Sequence, residues 1–225
     1  MLEHKCEVCG RLWRKKLKAD GKIVCNKHYT QFKKHGKFMD TSPRTQRDKN
    51  EIVVVDNSAY ISLYDKQYNV IAKAIIDAED IPLVKNIKWR LNHNGYVMNN
   101  SNHNKRALFL HSVIMNTKNL IDHIDTNPLN NKKENLRIVT KSQNQMNVKY
   151  KGYYYIKGKW FAKIKINQKQ INLGTYYMEE EAIYARWFAE KILFKEFAYP
   201  REEPNIPQER KQQIQEYINQ KVQRL

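Results

Sequence analysis

The feature that most constrains this 225-residue chain is the placement of its three cysteines: Cys6-x2-Cys9, fifteen residues, then Cys25-x2-His28. Each pair suits a tight knuckle, and two knuckles converge on one tetrahedral zinc ion. The pattern uses every cysteine of the chain, and three are too few and too odd in number for a disulfide framework. The surrounding segment is polar, with Leu12, Trp13, Ile23, Val24, Tyr29 and Phe32 as its main apolar side chains. So small a core cannot hold a fold by burial alone, and metal binding would supply the missing free energy. Cys6, Cys9 and Cys25 are three ligands; His28 fits the fourth place by spacing, and His4 and His35 are the local alternatives. A closed four-ligand shell reads as structural zinc.

Charge narrows the partner. The net charge is +18, and the excess falls in residues 1–50 (+9), 101–150 (+5) and 151–200 (+4), separated by a neutral 51–100. Blocks of this kind point to an anionic partner, most simply nucleic acid. Lys15, Lys16, Lys18, Lys33, Lys34 and Lys37 surround the metal pattern and would meet phosphate. Mean hydropathy is −0.81, and no stretch approaches the roughly 18 apolar residues of a membrane span. The first twenty residues carry Glu3, His4, Lys5 and a basic run rather than a signal peptide. The expectation is a cytoplasmic protein without a membrane partner.

The pattern along the chain predicts an α+β, multidomain architecture. A zinc-binding module occupies residues 1–40, and TSPRTQRDKN at 41–50 reads as a linker. Residues 51–149 open with strands at Ile52 to Val55, Ala59 to Tyr64, Asn69 to Ile76 and Gly95 to Met98, with a short helix from Ile81 to Lys88 between them. A strand and short helix follow at Ala107 to Met115, then strands at Leu120 to Ile124 and Leu136 to Val139. A helix entered through Thr140 and Ser142 ends this part. Residues 150–200 show three short strands and a helix from Glu179 to Phe194. Prolines at 200, 204 and 207 break the chain, and 201–225 is a polar, Gln-rich helical tail, either docked on a neighbour or lying on the surface.

The chemistry concentrates around Asp122-His123, Asn135 and Asn144. Phosphodiester cleavage needs a base for water, a cation for the charge on phosphorus and stabilisation of the departing oxygen. Asp122 is a hard ligand for Mg²⁺ or Mn²⁺. His123, its neighbour on a strand, points to the other side and can take the water proton. Asn144 on the following helix can return a second oxygen ligand, with Asn147 on the same face as its rival. Asn135 can hold the loop between the strands.

These residues resemble the HNH nuclease family of phage and intron homing endonucleases, built on a two-strand, one-helix metal motif. The likeness places the family's Asp-His pair on Asp122 and His123, its central Asn on Asn135 twelve positions after the His, and its closing ligand on Asn144. It covers about residues 85–148. His111 is the candidate supporting residue behind the site, and Arg137 and Lys141 the candidate clamps on flanking phosphates.

In the C-terminal segment Lys159, Lys163 and Lys165 fall near period 2 against Trp160, Ala162, Ile164 and Ile166, and Ala182, Ala185, Ala189 and Ile192 form a helical stripe. With Gly152, Gly158-Lys159-Trp160, Leu173-Gly174-Thr175, Glu180-Glu181-Ala182 and Tyr184-Ala185, the segment resembles the APETALA-type, or ethylene-response-factor, DNA-binding domain. In that family a three-stranded sheet enters the major groove. The implied contacts are Tyr153, Tyr155, Lys159, Lys163 and Lys165, with Gln170 or Asn172 as base readers.

Together the resemblances imply a modular, site-selective DNA endonuclease using one Mg²⁺ or Mn²⁺, with structural zinc. It would nick one strand per monomer and act in a bacterial or phage-infected cell. A monomer is expected, with a dimer left open for double-strand cutting. A DNA-binding regulator with an inactive nuclease centre is the alternative; a third option, an RNA-binding module, is disfavoured because the sequence lacks the usual aromatic recognition motifs.

Overall fold

The computed structural model describes residues 3–41, 44–45, 48–99, 107–149 and 151–223. Parts of the 41–50 linker and the last two residues of the tail lie outside the described residues. The chain divides into two compact units, residues 1–113 and 114–225, and the division falls inside the segment 51–149. The architecture is mixed helix and sheet, with several small antiparallel sheets. Among the described residues no helix is long and apolar enough to cross a membrane.

The first unit opens with two short hairpins. Strand β1 (His4–Lys5) pairs with β2 (Leu12–Trp13), and β3 (Leu17–Ala19) with β4 (Lys22–Val24). Helix α1 (Asn26–His35) follows, closed by Gly36 in the left-handed region with its N–H on the Phe32 carbonyl. Cys6, Val24 and Cys25 are buried here, with Trp13, Leu17, Phe32 and Phe38 packed around them. Next comes a meander of β5 (Ile52–Val55), β6 (Ser58–Tyr64) and β7 (Val70–Asp77). Its inner face is written by alternation: Ala59, Ile61, Leu63, Ala74 and Ile76 are fully buried.

The helix predicted over Ile81 to Lys88 is shorter than its pattern. A 3-10 turn (Ala78–Asp80) runs into α2 (Ile81–Val84), with Pro82 at the start of the helix. The chain then turns so that Trp89 is buried and donates its indole N–H to the Val84 carbonyl at 3.1 Å. Strands β8 (Arg90–Leu91), β9 (Val97–Asn99) and β10 (Leu108–Phe109) form a further sheet, and α3 spans Leu110–Ile114.

The second unit begins with the hairpin β11 (Ile121–His123) and β12 (Leu136–Ile138), followed by α4 (Lys141–Met146). A meander of β13 (Tyr153–Ile156), β14 (Lys159–Ile166) and β15 (Lys169–Tyr176) comes next. Helix α5 (Glu179–Phe194) packs on it, with Ala182, Ala185 and Ala189 against Ala162, Ile164 and Leu173. The small alanine stripe is what lets helix and sheet approach.

Two features lock this packing. Gly152 has φ 65° and leaves no room for a Cβ, which would sit 2.7 Å from the Arg186 side chain. Arg186 in turn donates to the Lys163 carbonyl at 2.5 Å and to Glu190 at 2.8 Å. The tail forms α6 (Gln208–Val222), which docks on α5 of its own unit through Ile214 and Ile218. Burying each such side chain contributes about 1.5–3 kcal/mol. Arg210 on Glu181 (2.6 Å) and Gln215 on the Tyr184 hydroxyl (2.6 Å) fix its register.

Candidate functional site

The β11–β12 hairpin sets Asp122 opposite Arg137 and His123 opposite Leu136. Asp122 and His123 are both buried. The loop joining the strands is organised by its own Asx side chains. Asp125 Oδ1 accepts the Asn127 N–H (2.8 Å) and Asn127 Oδ1 accepts that of Leu129 (3.1 Å). Asn135 closes the loop. Its Oδ1 accepts the Asp125 N–H at 3.0 Å, and its Nδ2 donates to Asp125 Oδ1 (2.9 Å) and to the Asn130 carbonyl (2.8 Å).

Asn131, fully buried, sets the His123 ring. Its Nδ2 donates to the Pro128 carbonyl at 3.1 Å, which turns Oδ1 toward His123 Nε2 at 3.3 Å. An amide oxygen only accepts, so Nε2 carries the proton and Nδ1 is the basic nitrogen. Burial lowers the His123 pKa below 6.5, opposed by the Asn131 bond and by the charges of Asp125 and Asp122. The ring is therefore neutral at pH 7, the form a general base needs.

Helix α4 enters through a capping box. Thr140 Oγ1 accepts the Gln143 N–H, and Gln143 Oε1 accepts the Thr140 N–H. This fixed start sets the two asparagines. Asn144 is half-buried, and its side chain makes no hydrogen bond to Asp122 among the described residues. Asn147, buried at the end of the helix, reaches the site instead. Its Nδ2 lies 3.0 Å from both Asp122 oxygens and 2.8 Å from the His123 carbonyl. Its Oδ1 is buried without a hydrogen-bond partner among the described residues. An unpartnered amide oxygen beside a buried carboxylate is a donor pair that fits a hard divalent cation. Lys141 is exposed on the first turn of α4.

Arg137, the candidate phosphate clamp, has its donors turned inward. Its Nε and Nη2 donate to Asp122 Oδ2 at 2.9 and 2.6 Å, and its Nη1 donates to the Glu196 carbonyl. Its guanidinium also lies 4.6 Å from the centre of the Phe197 ring. The antiparallel register that puts it opposite Asp122 turns it inward.

At the N-terminus, one ligand atom from each of Cys6, Cys9, Cys25 and His28 lies within 4.8 Å of the others. His28 is the histidine the structure brings to the cysteines. Its Nδ1 faces Cys6 Sγ (3.5 Å) and Cys25 Sγ (3.4 Å), while Nε2 lies 2.8 Å from the Asp40 carbonyl. That outer bond leaves Nδ1 as the ligand atom. Asp40, which spacing gave no reason to single out, also accepts from Lys27 (2.5 Å) and Gln31 (2.8 Å). Burial raises the Cys6 thiol, but N–H groups of Cys25, Cys9 and Val8 outweigh it and leave the pKa lowered to about 6. At Cys9 burial prevails, and with Cys6 and Cys25 nearby the pKa is pushed up to about 12. Sulfurs this close cannot all ionise unless a cation neutralises them, so the donor set fits a zinc ion.

On the C-terminal sheet the pairing Tyr154↔Phe161 and Tyr153↔Ala162 splits the expected contact set. Tyr153 and Tyr155 share the face of Ala162 and Trp160, and Tyr153 packs against the core. Tyr154 joins the lysines: its ring stacks on Phe161 (5.7 Å), and Lys163 Nζ lies 4.8 Å above it. Opposite Lys163 and Lys165 stand Asn172 and Gln170. Asn172 Oδ1 accepts the Gly174 N–H at 2.9 Å, so part of its capacity is spent locally. Lys159 is exposed beside Tyr177. In the first unit, His111 stacks on Phe109 (5.3 Å) and meets Tyr96 edge-on.

No solved structure is significantly similar to the chain. A curated relative, an uncharacterised HNH endonuclease of Acanthamoeba polyphaga mimivirus, is 28% identical over 109 residues, which is 46% of this chain and 57% of the relative. The chain thus matches little more than half of that relative's length. Residues 117–146, which contain Asp122, His123, Asn135 and Asn144, match the family model for HNH endonucleases.

Proposed function

We propose that the chain is a metal-dependent DNA endonuclease, with its chemistry on the β11–β12–α4 unit. The observation that carries this reading is the convergence of Asp122, a neutral His123 and the buried amide of Asn147 just past α4, with Asp122 and His123 inside the stretch similar to HNH endonucleases. Asp122 and an amide oxygen of α4 would hold one Mg²⁺ or Mn²⁺. The family resemblance assigns Asn144, and the unpartnered Oδ1 of Asn147 suits the same ion. When bound, the ion supplies positive charge to the reacting phosphate and the departing oxygen.

The rest belongs to the chain's own groups. Asn131 holds the His123 ring in its Nε2–H form. His123 Nδ1 takes a proton from water as the water oxygen bonds to phosphorus. The bond from phosphorus to the 3′ oxygen breaks and that oxygen takes a proton from solvent water, leaving a 5′ phosphate and a 3′ hydroxyl. Asn135 keeps the loop, and thus His123, in place.

Zinc on Cys6, Cys9, Cys25 and His28 would close the N-terminal module. Its thiolates require a reducing compartment, which fits the cytoplasm of an infected or bacterial cell. Lys159, Lys163 and Lys165 with Tyr154, and Gln170 at the rim, form the surface proposed to meet DNA in the manner of the APETALA-type sheet. With a single nuclease centre per chain, a monomer would nick one strand, as a homing-type enzyme can.

A second reading, a DNA-binding regulator with a silent centre, draws on Arg137, whose guanidinium sits on Asp122. Mapping of cleaved ends separates the two. A nuclease of this type gives ligatable nicks with 5′ phosphates on duplex DNA; a regulator gives protection without ends.

A further inference from the structure

We propose that Arg137 is a positioning residue for Asp122, held in place by the Glu196–Phe197 turn that follows α5, and that it steers the divalent ion toward Asp122 Oδ1. This rests on the reading of Asp122 as a metal ligand.

The donors of Arg137 account for the assignment. All three of its nitrogens donate within its own unit: Nε and Nη2 to the same carboxylate oxygen, Oδ2, and Nη1 to the Glu196 carbonyl. The Phe197 ring covers its plane at 4.6 Å. Side-chain exposure is 15% for Arg137 and 8% for Asp122, so the pair is largely shielded from water. A guanidinium with its fork on Oδ2 leaves no room there for a second cation and repels one that approaches. Among the described residues Oδ1 accepts only the Asn147 amide, and the Asn147 Oδ1, unpartnered among those residues, belongs to the same side chain. The ion is therefore directed to Oδ1.

The consequence for architecture is that the turn after α5 reaches the Asp122 carboxylate through the Arg137 side chain. Glu196 and Phe197 belong to the 3-10 turn Lys195–Phe197 at the end of the helix that backs the three-stranded sheet. A residue that bound phosphate would need its donors directed outward; these are directed inward.

The test uses the full-length, zinc-loaded chain and its R137A, R137K and F197A variants. Mn²⁺ affinity is titrated by EPR without DNA, duplex binding is measured against salt without added Mg²⁺ or Mn²⁺, and cleavage is followed in single turnover. Removing the like charge in R137A is expected to tighten Mn²⁺ about tenfold, while cleavage falls about 100-fold because Asp122 is no longer held. R137K keeps the charge and loses the fork, so Mn²⁺ affinity stays near wild type while cleavage still falls. F197A lowers cleavage by a smaller factor. DNA affinity and its salt slope stay at wild-type values in all three.

A salt slope reduced by about one in R137A would mark a phosphate clamp and overturn the proposal. So would unchanged or weaker Mn²⁺ binding, or an unchanged cleavage rate. If R137A does not fold, R137K carries the same decision through its rate and salt slope. If wild type itself fails to cleave, the nuclease reading falls, while the Mn²⁺ and salt arms still decide the role of Arg137.

Discussion

Replacing Asn135 by alanine is the sharpest single perturbation of the loop that carries His123. The side chain is buried and makes three hydrogen bonds, one of them to the Asp125 carboxylate. Two neutral bonds contribute about 1 kcal/mol each and the charge-assisted one about 1.5–3 kcal/mol. Asp125 is exposed, so water can replace part of what is lost. The expected net cost is about 3 kcal/mol, a fall of roughly 10–15 °C in the melting of a unit of this size. Urea denaturation followed by far-UV circular dichroism measures it. Because the loop positions the base, cleavage should fall about 100-fold in conditions where the variant is still folded. Asn135→Asp separates the causes. It keeps an oxygen for the Asp125 N–H but sets a second carboxylate against Asp125, so it should be less stable than the alanine variant at pH 7 and recover toward pH 4. A loss below about 1 kcal/mol for Asn135→Ala, with full cleavage, would refute the assigned role.

Other perturbations read different parts of the molecule. The purified chain should carry one zinc per molecule; Cys9→Ser should abolish it and weaken DNA binding while the sheet–helix unit melts as before, and unchanged zinc content by atomic absorption would contradict the site. Burial holds the His123 pKa below 6.5, so the ring stays neutral through pH 7 and the acid limb of the cleavage profile should lie below 6.5. The same depressed pKa contributes stability above pH 6.5 that is lost as pH falls through the folded-state value. An acid limb above pH 7 would be inconsistent with this burial. Lys163→Ala should reduce the salt slope of duplex binding by about one, whereas Tyr155→Ala, on the opposite face, should leave it unaltered; fluorescence anisotropy across a salt series distinguishes them.

Local signals carried much of the fold. The helix over Glu179 to Phe194 begins and ends where its acidic first turn and alanine stripe place it. The meander strands follow their alternation to within a residue or two at most ends. The Cys6, Cys9, Cys25 and His28 grouping was readable because knuckle spacing is a local geometric demand, although spacing alone left His4 and His35 open.

Pairing across the chain was harder to read. Arg137 is 15 residues from Asp122, and only the hairpin register sets it against the carboxylate. Asn144 and Asn147 share a helix face in sequence; their depth depends on where the Thr140 cap starts the helix and where its last turn ends. Tyr154 takes its place beside Lys163 because the β13–β14 register pairs it with Phe161, which alternation within one strand cannot specify. The docking of α6 on α5 likewise depends on tertiary contacts between Ile214, Ile218 and a helix some thirty residues earlier.

The most direct measurement is nicking of supercoiled plasmid by wild type, His123→Ala and Asp122→Asn with added Mg²⁺ or Mn²⁺. The wild-type chain should convert supercoiled to open-circular DNA, and both variants should bind the plasmid but leave it supercoiled. Equal conversion by wild type and His123→Ala, or none by wild type with either ion, would contradict the account.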